Sequence, residues 1–469
     1  MIAALALSFA MSAALGTLVL LRIWPARAPG SRALVTALGV GLGAGLSSLL
    51  LFAWLVLFGP TRGFPLVEAA LVAVLAVVAV RSRWAARLGA GTHSLAGRGR
   101  LLGPAFLVGL IAAGAAFVTM LRREPHGEWD AWMNWDMRAR MIFLGGSAWR
   151  TAFAAELPWS HPDYPVLVPS LVVRTWLYAG TATLLGPALV AATFAFTAVA
   201  LLVTALGALR APSHGYLAGL VLLATPFFIR HATSLYADVP LAFFFLATVV
   251  CLALDDQSGV PTGRFAVLAG FFAGLAMWTK NEGLLFTGCV IAGLVATGPG
   301  AGWPLIRRRV ANFGGGLLLP LLVVVSFKLA FAPPNDLLST LGVERTIGRI
   351  TDWERYTTVL RAYAVHLATF GANGLPGAVW PLAVYVGAMG WDPVERRRPW
   401  ACGVAIAIAL LLAGHFMVFV SMADELARLL ASSLDRLILQ LWPSALFLVF
   451  MAARTIEENG SRQPGEAAP

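Results

Sequence analysis

Runs of about twenty apolar residues, the length that crosses a bilayer's hydrocarbon core, recur from end to end of this chain. They lie at 2–21, 33–58, 65–80, 101–121, 184–209, 215–230, 239–254, 265–279, 284–298, 312–331, 374–390, 400–421 and 437–453. Inside a bilayer no water is available for stray backbone N–H and C=O groups, so such runs must close their hydrogen bonds as helices. Of 469 residues, 59% are hydrophobic and 12% charged, whereas roughly 25% charged is usual for a soluble domain. The expected fold is an all-α, polytopic transmembrane protein of about 13 spans, with external loops carrying juxtamembrane helices. The first run lacks a basic leader and a small-residue cleavage site, so it reads as a retained helix.

The net charge of +11 is not a nucleic-acid signature, because no long basic stripe carries interleaved aromatics. The arginines sit in short connections: "RIWPARAPGSR", "RSRWAARLGAGTHSLAGRGR", "IRRRVANF" and "VERRRPW". Such connections face the cytoplasm. All four do so if the N-terminus is outside, the C-terminus is inside, and 161–180 does not cross. That segment carries Arg174 in mid-run and several prolines, which suits a helix lying on the outer surface. The expected location is a bacterial cytoplasmic membrane, given the alanine-, leucine- and arginine-heavy usage. The chain then divides into N-terminal transmembrane helices (1–100), a helix with an acidic external loop (101–183), central helices (184–331), a second external loop (332–373), C-terminal helices (374–454) and a cytoplasmic tail (455–469). Cys251, Cys289 and Cys402 all lie in apolar runs and read as packing residues, with no disulfide or metal spacing.

Acids collect in the first external loop: Glu124, Glu128, Asp130, Asp136, Glu156 and Asp163. Within "GEWDAWMNWDMRARMIFLGG" (127–146), helical spacing would put Asp130, Asn134 and Arg138 on one face. Asp136 and Arg140, four apart, would pair. Trp129, Trp132 and Met133 would form an apolar side at headgroup depth. Solvated charge alone accounts for many surface acids. Glu128 and Asp130, however, flank a tryptophan at the mouth of a span, where a carboxylate pair holds a divalent cation or takes a proton from a hydroxyl.

Three further stretches fall on the same expected side. Asp238, in "YADVPLAFFF", opens a span ahead of Pro240, as an ordinary N-cap also would. Lys280 and Glu282, in "GLAMWTKNEG", lie between two short runs, and charge at membrane depth is a functional candidate by default. The alternative for Lys280 is snorkelling to the interface. His161, Asp163 and Tyr164, in "SHPDYPVLVP", sit in a rigid proline-rich segment, where a histidine serves in acid–base chemistry, as a metal ligand or as a structural hydrogen-bonder.

Taken in order, "EWDAWMNWD", "HPDYPVLVP", "YADVPLAFFF" and "GLAMWTKNEG" resemble the GT-C superfamily of polytopic glycosyltransferases. The closest likeness is to the branch of protein O-mannosyltransferases and lipid A aminoarabinose transferases. The resemblance covers roughly 101–300 and leaves the first three spans outside it. Glu-Trp-Asp stands here where that branch has an adjacent Asp-Glu. The resemblance implies transfer of a sugar from a polyprenyl-phosphate donor to a lipid, glycan or protein acceptor at the outer face. Asp130, then Glu128, would be the catalytic carboxylates. Lys280, assisted by Arg138 or Arg140, would meet the phosphate, and Asp238, Glu282, His161, Asp163 and Tyr164 would line the substrate site. Glu128, Asp130 and Asp238 are the candidate ligands for Mg²⁺ or Mn²⁺. In the second loop Arg345, Arg349 and Arg355 are candidates for an anionic ligand or for a capping helix. Asp435 and Arg436 read as an interfacial pair. The rival expectation is a multi-pass transporter or lipid flippase of envelope precursors.

Overall fold

The computed structural model describes residues 1–25, 28, 31–82, 101–257, 263–335, 342–371, 377–422 and 425–460. The basic connection over 83–100, parts of the second loop (336–341 and 372–373) and the tail beyond 460 lie outside the described residues. The described chain is helical throughout, with a single isolated bridge between Trp391 and Ala453.

In chain order the helices are α1 (Ile2–Ile23), α2 (Arg32–Phe58), α3 (Phe64–Arg81), α4 (Leu102–Arg123), α5 (Asp136–Leu144), α6 (Leu167–Ala179), α7 (Leu185–Leu209), α8 (Pro212–Leu223), α9 (Pro226–Thr233), α10 (Asp238–Gln257), α11 (Arg264–Thr279), α12 (Glu282–Ala296), α13 (Gly298–Ala301), α14 (Trp303–Ala330), α15 (Val343–Thr351), α16 (Trp353–Thr369), α17 (Val379–Met389), α18 (Pro399–Met422) and α19 (Leu426–Ala452).

Each expected span falls on one of these helices, except 215–230, which falls on both α8 and α9. Among the described residues nine are long and apolar enough to cross a membrane, and a tenth crossing arises if α8 and α9, bent by 62°, count as one. The bend has a local cause, since Pro226 opens a new helix one residue after Thr225 and has no N–H to continue the old one. The remaining expected spans are the shorter apolar helices α11, α12 and α17.

α10 is the central helix. Every side chain from Asp238 to Leu254 is buried, against α2, α7, α11, α18 and α19. At about 1.5 Å per residue, its 20 residues span ~30 Å, one hydrocarbon thickness. Neighbouring helices approach through glycine. A Cβ at Gly16 of α1 would lie 2.0 Å from the Gly39 carbonyl of α2, and one at Gly270 of α11 would lie 1.8 Å from the Phe313 carbonyl of α14. Small residues let membrane helices pack backbone to backbone in this way.

α6 is not at the surface. Eleven of its 13 residues are buried, packed against α1, α2, α5 and α7. Arg174, the reason for expecting the segment to stay out of the core, has a partner there. Its Nη2 lies 2.7 Å from Glu68 Oε2 of α3, and Ser47 and Tyr178 donate to the same carboxylate. A charge so paired is tolerated inside a helical bundle.

Charges gather at the two ends of α10. At its C-terminal end Arg309 reaches Asp255 at 3.1 Å and Asp256 at 2.7 Å, and Arg398 reaches Asp256 at 3.5 Å. Near that end Arg210 meets Asp392 at 3.1 Å. Asp238 opens the other end.

Candidate functional site

Asp238 is fully buried and wholly engaged. Its Oδ1 accepts from Lys280 Nζ at 2.9 Å and from Gln440 Nε2 at 2.6 Å. Its Oδ2 accepts from Arg436 at 3.0 Å and lies 3.1 Å from His231 Nε2. The N-cap alternative for Asp238 thus gives way to a hub joining α9, α10, α11, α12 and α19. Charges alternate along it: Arg436 also lies 2.7 Å from Asp130 Oδ2, and Lys280 also lies 2.7 Å from Glu282 Oε1. Asp130 and Arg436 are the accessible end, with side chains 30% and 21% exposed, whereas Lys280 is 4% exposed.

The acidic loop is pinned to this hub. The Glu128 N–H donates to the Ser234 carbonyl at 3.1 Å, and the Asp130 N–H donates to the Tyr236 hydroxyl at 3.1 Å. Gly127 permits the approach. It has φ +70°, and a Cβ there would lie 2.4 Å from the Ser234 carbonyl. Opposite it, Leu235 holds φ +61°, a conformation that costs a branched residue of order 1–3 kcal/mol and clusters at functional sites. Glu128 is the most exposed acid of the group, 3.9 Å from Arg230. Burial pushes the Tyr236 phenol up to about 12, so it stays a neutral hydrogen-bonder, its ring beneath the Arg436 guanidinium at 4.7 Å.

Beside the hub lies a second node. Asp163 is buried and accepts from Asn335 at 2.6 Å and Asn281 at 2.9 Å, and Lys328 Nζ stands 3.4 Å away. Lys328 also donates to Asn281 Oδ1 at 2.8 Å, so Asn281 joins the two nodes through its neighbour Lys280. Tyr164 lies between, stacked on Trp135 at 5.8 Å, with the Lys280 ammonium 5.8 Å from its ring centroid. His161 is left-handed at φ +47° and packs on Tyr164. Across both nodes Asp130, Asp163, Asp238 and Glu282 face Lys280, Lys328 and Arg436.

The expected helical face of Asp130, Asn134 and Arg138 is not formed. Residues Ala131–Trp135 make a π-helical turn, whose wider spacing rotates the next turns out of α register. Trp129 and Trp132 stay exposed as expected for interfacial anchors, but Asn134, Trp135 and Arg138 turn inward. Arg138 donates to the Tyr164 and Pro165 carbonyls at 2.7 and 3.2 Å. Burial pulls it down to about 9, with Asp163 and Tyr164 opposing. It is a structural clamp on the proline-rich segment, not a residue open to a phosphate. Asp136 and Arg140 do not pair directly: Arg140 lies over Trp176 at 5.8 Å. Burial pushes the Asp136 carboxyl up to about 7, which Arg140 only partly offsets.

The tentative cation set fares differently from the hub. Glu128 lies by Arg230, while Asp130 and Asp238 both lie on Arg436 and Asp238 also on Lys280, so each carboxylate already faces a cation. Among the described residues no three His, Cys, Asp or Glu side chains are grouped to hold a metal ion.

Sequence reasoning missed the roles of Arg436, Gln440, His231 and Tyr236. The expected Asp435–Arg436 pair gives way to two separate contacts, since Asp435 meets His366 at 2.8 Å. One signal was available: Arg436 and Gln440 lie four apart at the start of an apolar run, on one face of α19. In the second loop, Arg349 and Arg355 donate to the Ser421, Val420 and Phe419 carbonyls. They cap the C-terminal end of α18, where orphan carbonyls and the helix dipole favour cations. Arg345 is exposed.

No protein-family model, curated protein or solved structure matches the chain. The fold and the site therefore define a polytopic helical protein with a largely buried hub of alternating charges at one end of its central helix.

Proposed function

We propose that this protein is a membrane glycosyltransferase of GT-C type, moving a sugar from a polyprenyl-phosphate donor to an acceptor at the outer face of the cytoplasmic membrane. The observation that carries the reading is the Asp130–Arg436 pair, a carboxylate and a guanidinium side by side and accessible at the rim of a hub that is otherwise buried. A transferase for a lipid-linked sugar needs a base for the acceptor hydroxyl and a cation for the departing phosphate, both at headgroup depth.

In this mechanism the acceptor oxygen attacks C1 of the sugar while Asp130 takes its proton. The bond from C1 to the phosphate oxygen breaks, and the lipid phosphate leaves toward Arg436, whose planar fork suits phosphate oxygens. Asp238, itself held by Lys280, holds Arg436 from beneath. Lys280, already shared between two carboxylates, acts by field rather than by contact, and Glu128 at the rim orients the acceptor. The orientation belongs to the same reading. Arg309, Arg396, Arg397 and Arg398 lie toward the C-terminal end of α10, and basic connections face the cytoplasm, so Asp238 faces outward. Counting α11, α12, α17 and the bent α8–α9 pair as crossings gives the thirteen-span topology, N-terminus out and C-terminus in.

The test is turnover of radiolabelled polyprenyl-phosphate sugars by purified protein in nanodiscs, with Asp130→Asn alongside. Loss of at least a hundredfold in the variant is expected, and full turnover in it removes the base. A wild-type protein inert toward every hexosyl and pentosyl donor removes the reading. A second reading, transport or lipid flipping, draws on the α8–α9 break and the buried charges, features of transporter sites. Uptake into proteoliposomes without any lipid-linked sugar would favour it.

A further inference from the structure

A large cavity lies outside the charged hub, on the flank formed by α1, α2, α6 and α7. Its volume is about 690 Å³, and Phe9, Ala37, Val40, Phe194 and Ala200 are among the residues lining it. Of the seven polar side chains in its wall, five are already engaged, Ser12 and Thr197 being the other two. Thr36, Thr175, Thr193 and Thr204 each donate to a carbonyl three or four residues back, and Arg174 is held by Glu68 and the Ser8 carbonyl. The cavity therefore selects an apolar occupant. Three of its four walls are helices long and apolar enough to cross a membrane, so its surroundings are hydrocarbon, not water.

Its shape and its end narrow the choice. From Val190 to Thr204 along α7 the groove runs ~20 Å, the path of a chain lying along the bilayer normal. Val190 also borders a small cavity walled by Asp136, Tyr236 and Pro240. Tyr236 carries the Asp130 N–H on its hydroxyl and lies beneath Arg436. Val190 thus stands between the apolar groove and the small pocket at Tyr236, with the Arg436 guanidinium against that ring, an arrangement that suits a single-chain lipid with an anionic head.

We propose that this groove holds the isoprenoid chain of the lipid-phosphate substrate, with the phosphate at the end of the groove nearest Tyr236 and Arg436. The proposal rests on the glycosyl-transfer reading and deepens it. It gives α1 and α2, which lie outside the resemblance to known transferases, the task of seating the donor.

The experiment uses the full chain in nanodiscs and a sugar-free polyprenyl phosphate carrying a diazirine on the chain. Crosslinks are expected on α1, α2 and α7 between the levels of Phe9, Ala37 and Phe194. Thr197→Trp, which fills the groove from its partly exposed wall, should cut crosslink yield at least tenfold without moving the melting temperature. Ala13→Trp does the same from the opposite wall should the first variant misfold. In turnover, the KM for a long-chain donor should rise at least tenfold with kcat unchanged, while a short-chain donor should be unaffected. Undiminished crosslinking in a folded tryptophan variant overturns the proposal. So do crosslinks confined to the outward faces of α4 or α14, or equal competition by a diacyl phospholipid. Groove crosslinks without sugar transfer would remove the glycosyl-transfer reading and leave a lipid site. Transfer with crosslinks elsewhere would do the reverse.

Discussion

Arg436 grips Asp130 and Asp238 at once, with Nη2 lying 2.7 Å from one carboxylate and 3.0 Å from the other. These two acids come from different parts of the chain, one on the external loop and one at the head of the central helix. Nη2 alone reaches both, and Nε adds a second arm to Asp238 at 3.2 Å, a two-armed grip that an ammonium does not reproduce. Arg436→Lys should keep the charge but lose the second arm. We expect it to lower turnover ten- to a hundredfold, with a melting temperature closer to wild type than that of Arg436→Ala. A lysine variant with wild-type kcat would show that the second arm is not required.

Asp238 is fully buried and faces Lys280, Arg436 and His231. Removing one member of a buried ion network leaves uncompensated charge and costs ~3–5 kcal/mol. Asp238→Asn should therefore lower the yield of monodisperse protein and its melting temperature. Asp238→Asn with Lys280→Met should be less damaging than the sum of the single changes, because the orphan ammonium goes with its partner. Additive losses would argue against direct coupling.

The same logic applies away from the hub. Arg174 of the interior helix α6 depends on Glu68. Glu68→Ala should cost ~3–5 kcal/mol by leaving a buried guanidinium unpaired. The pair Glu68→Leu with Arg174→Leu should recover most of the melting temperature. Failure to recover would assign the ion pair a role beyond neutrality.

These cases show how far local pattern reaches. Apolar runs announce themselves within twenty residues, so the helices and most of their bounds were legible. Asp238 and Lys280 were legible too, because a charge abutting an apolar run is conspicuous wherever its partner lies. Partners were not. Arg436 meets Asp238 across 198 positions, and Arg174 meets Glu68 across 106. Without those partners Arg436 looked interfacial and α6 looked superficial. The inward turn of Arg138 failed for another reason: a face drawn at α spacing does not survive the π turn at Ala131–Trp135.

Asp136 offers a pH test outside the spans. Its carboxyl is pushed up to about 7 from an ordinary 3.8 by burial, with Arg140 pulling the other way. Between those values the folded chain keeps the proton and the unfolded chain releases it. Stability should then fall by ~1.4 kcal/mol per pH unit as pH rises through that window, and level off above it. Asp136→Asn cannot titrate, so the difference in melting temperature between wild type and variant should shift steadily from pH 4 to pH 7 and hold constant from pH 7.5 to 9. A difference that is flat from pH 4 to pH 9 would mean that Asp136 ionises in the folded protein as it does in water.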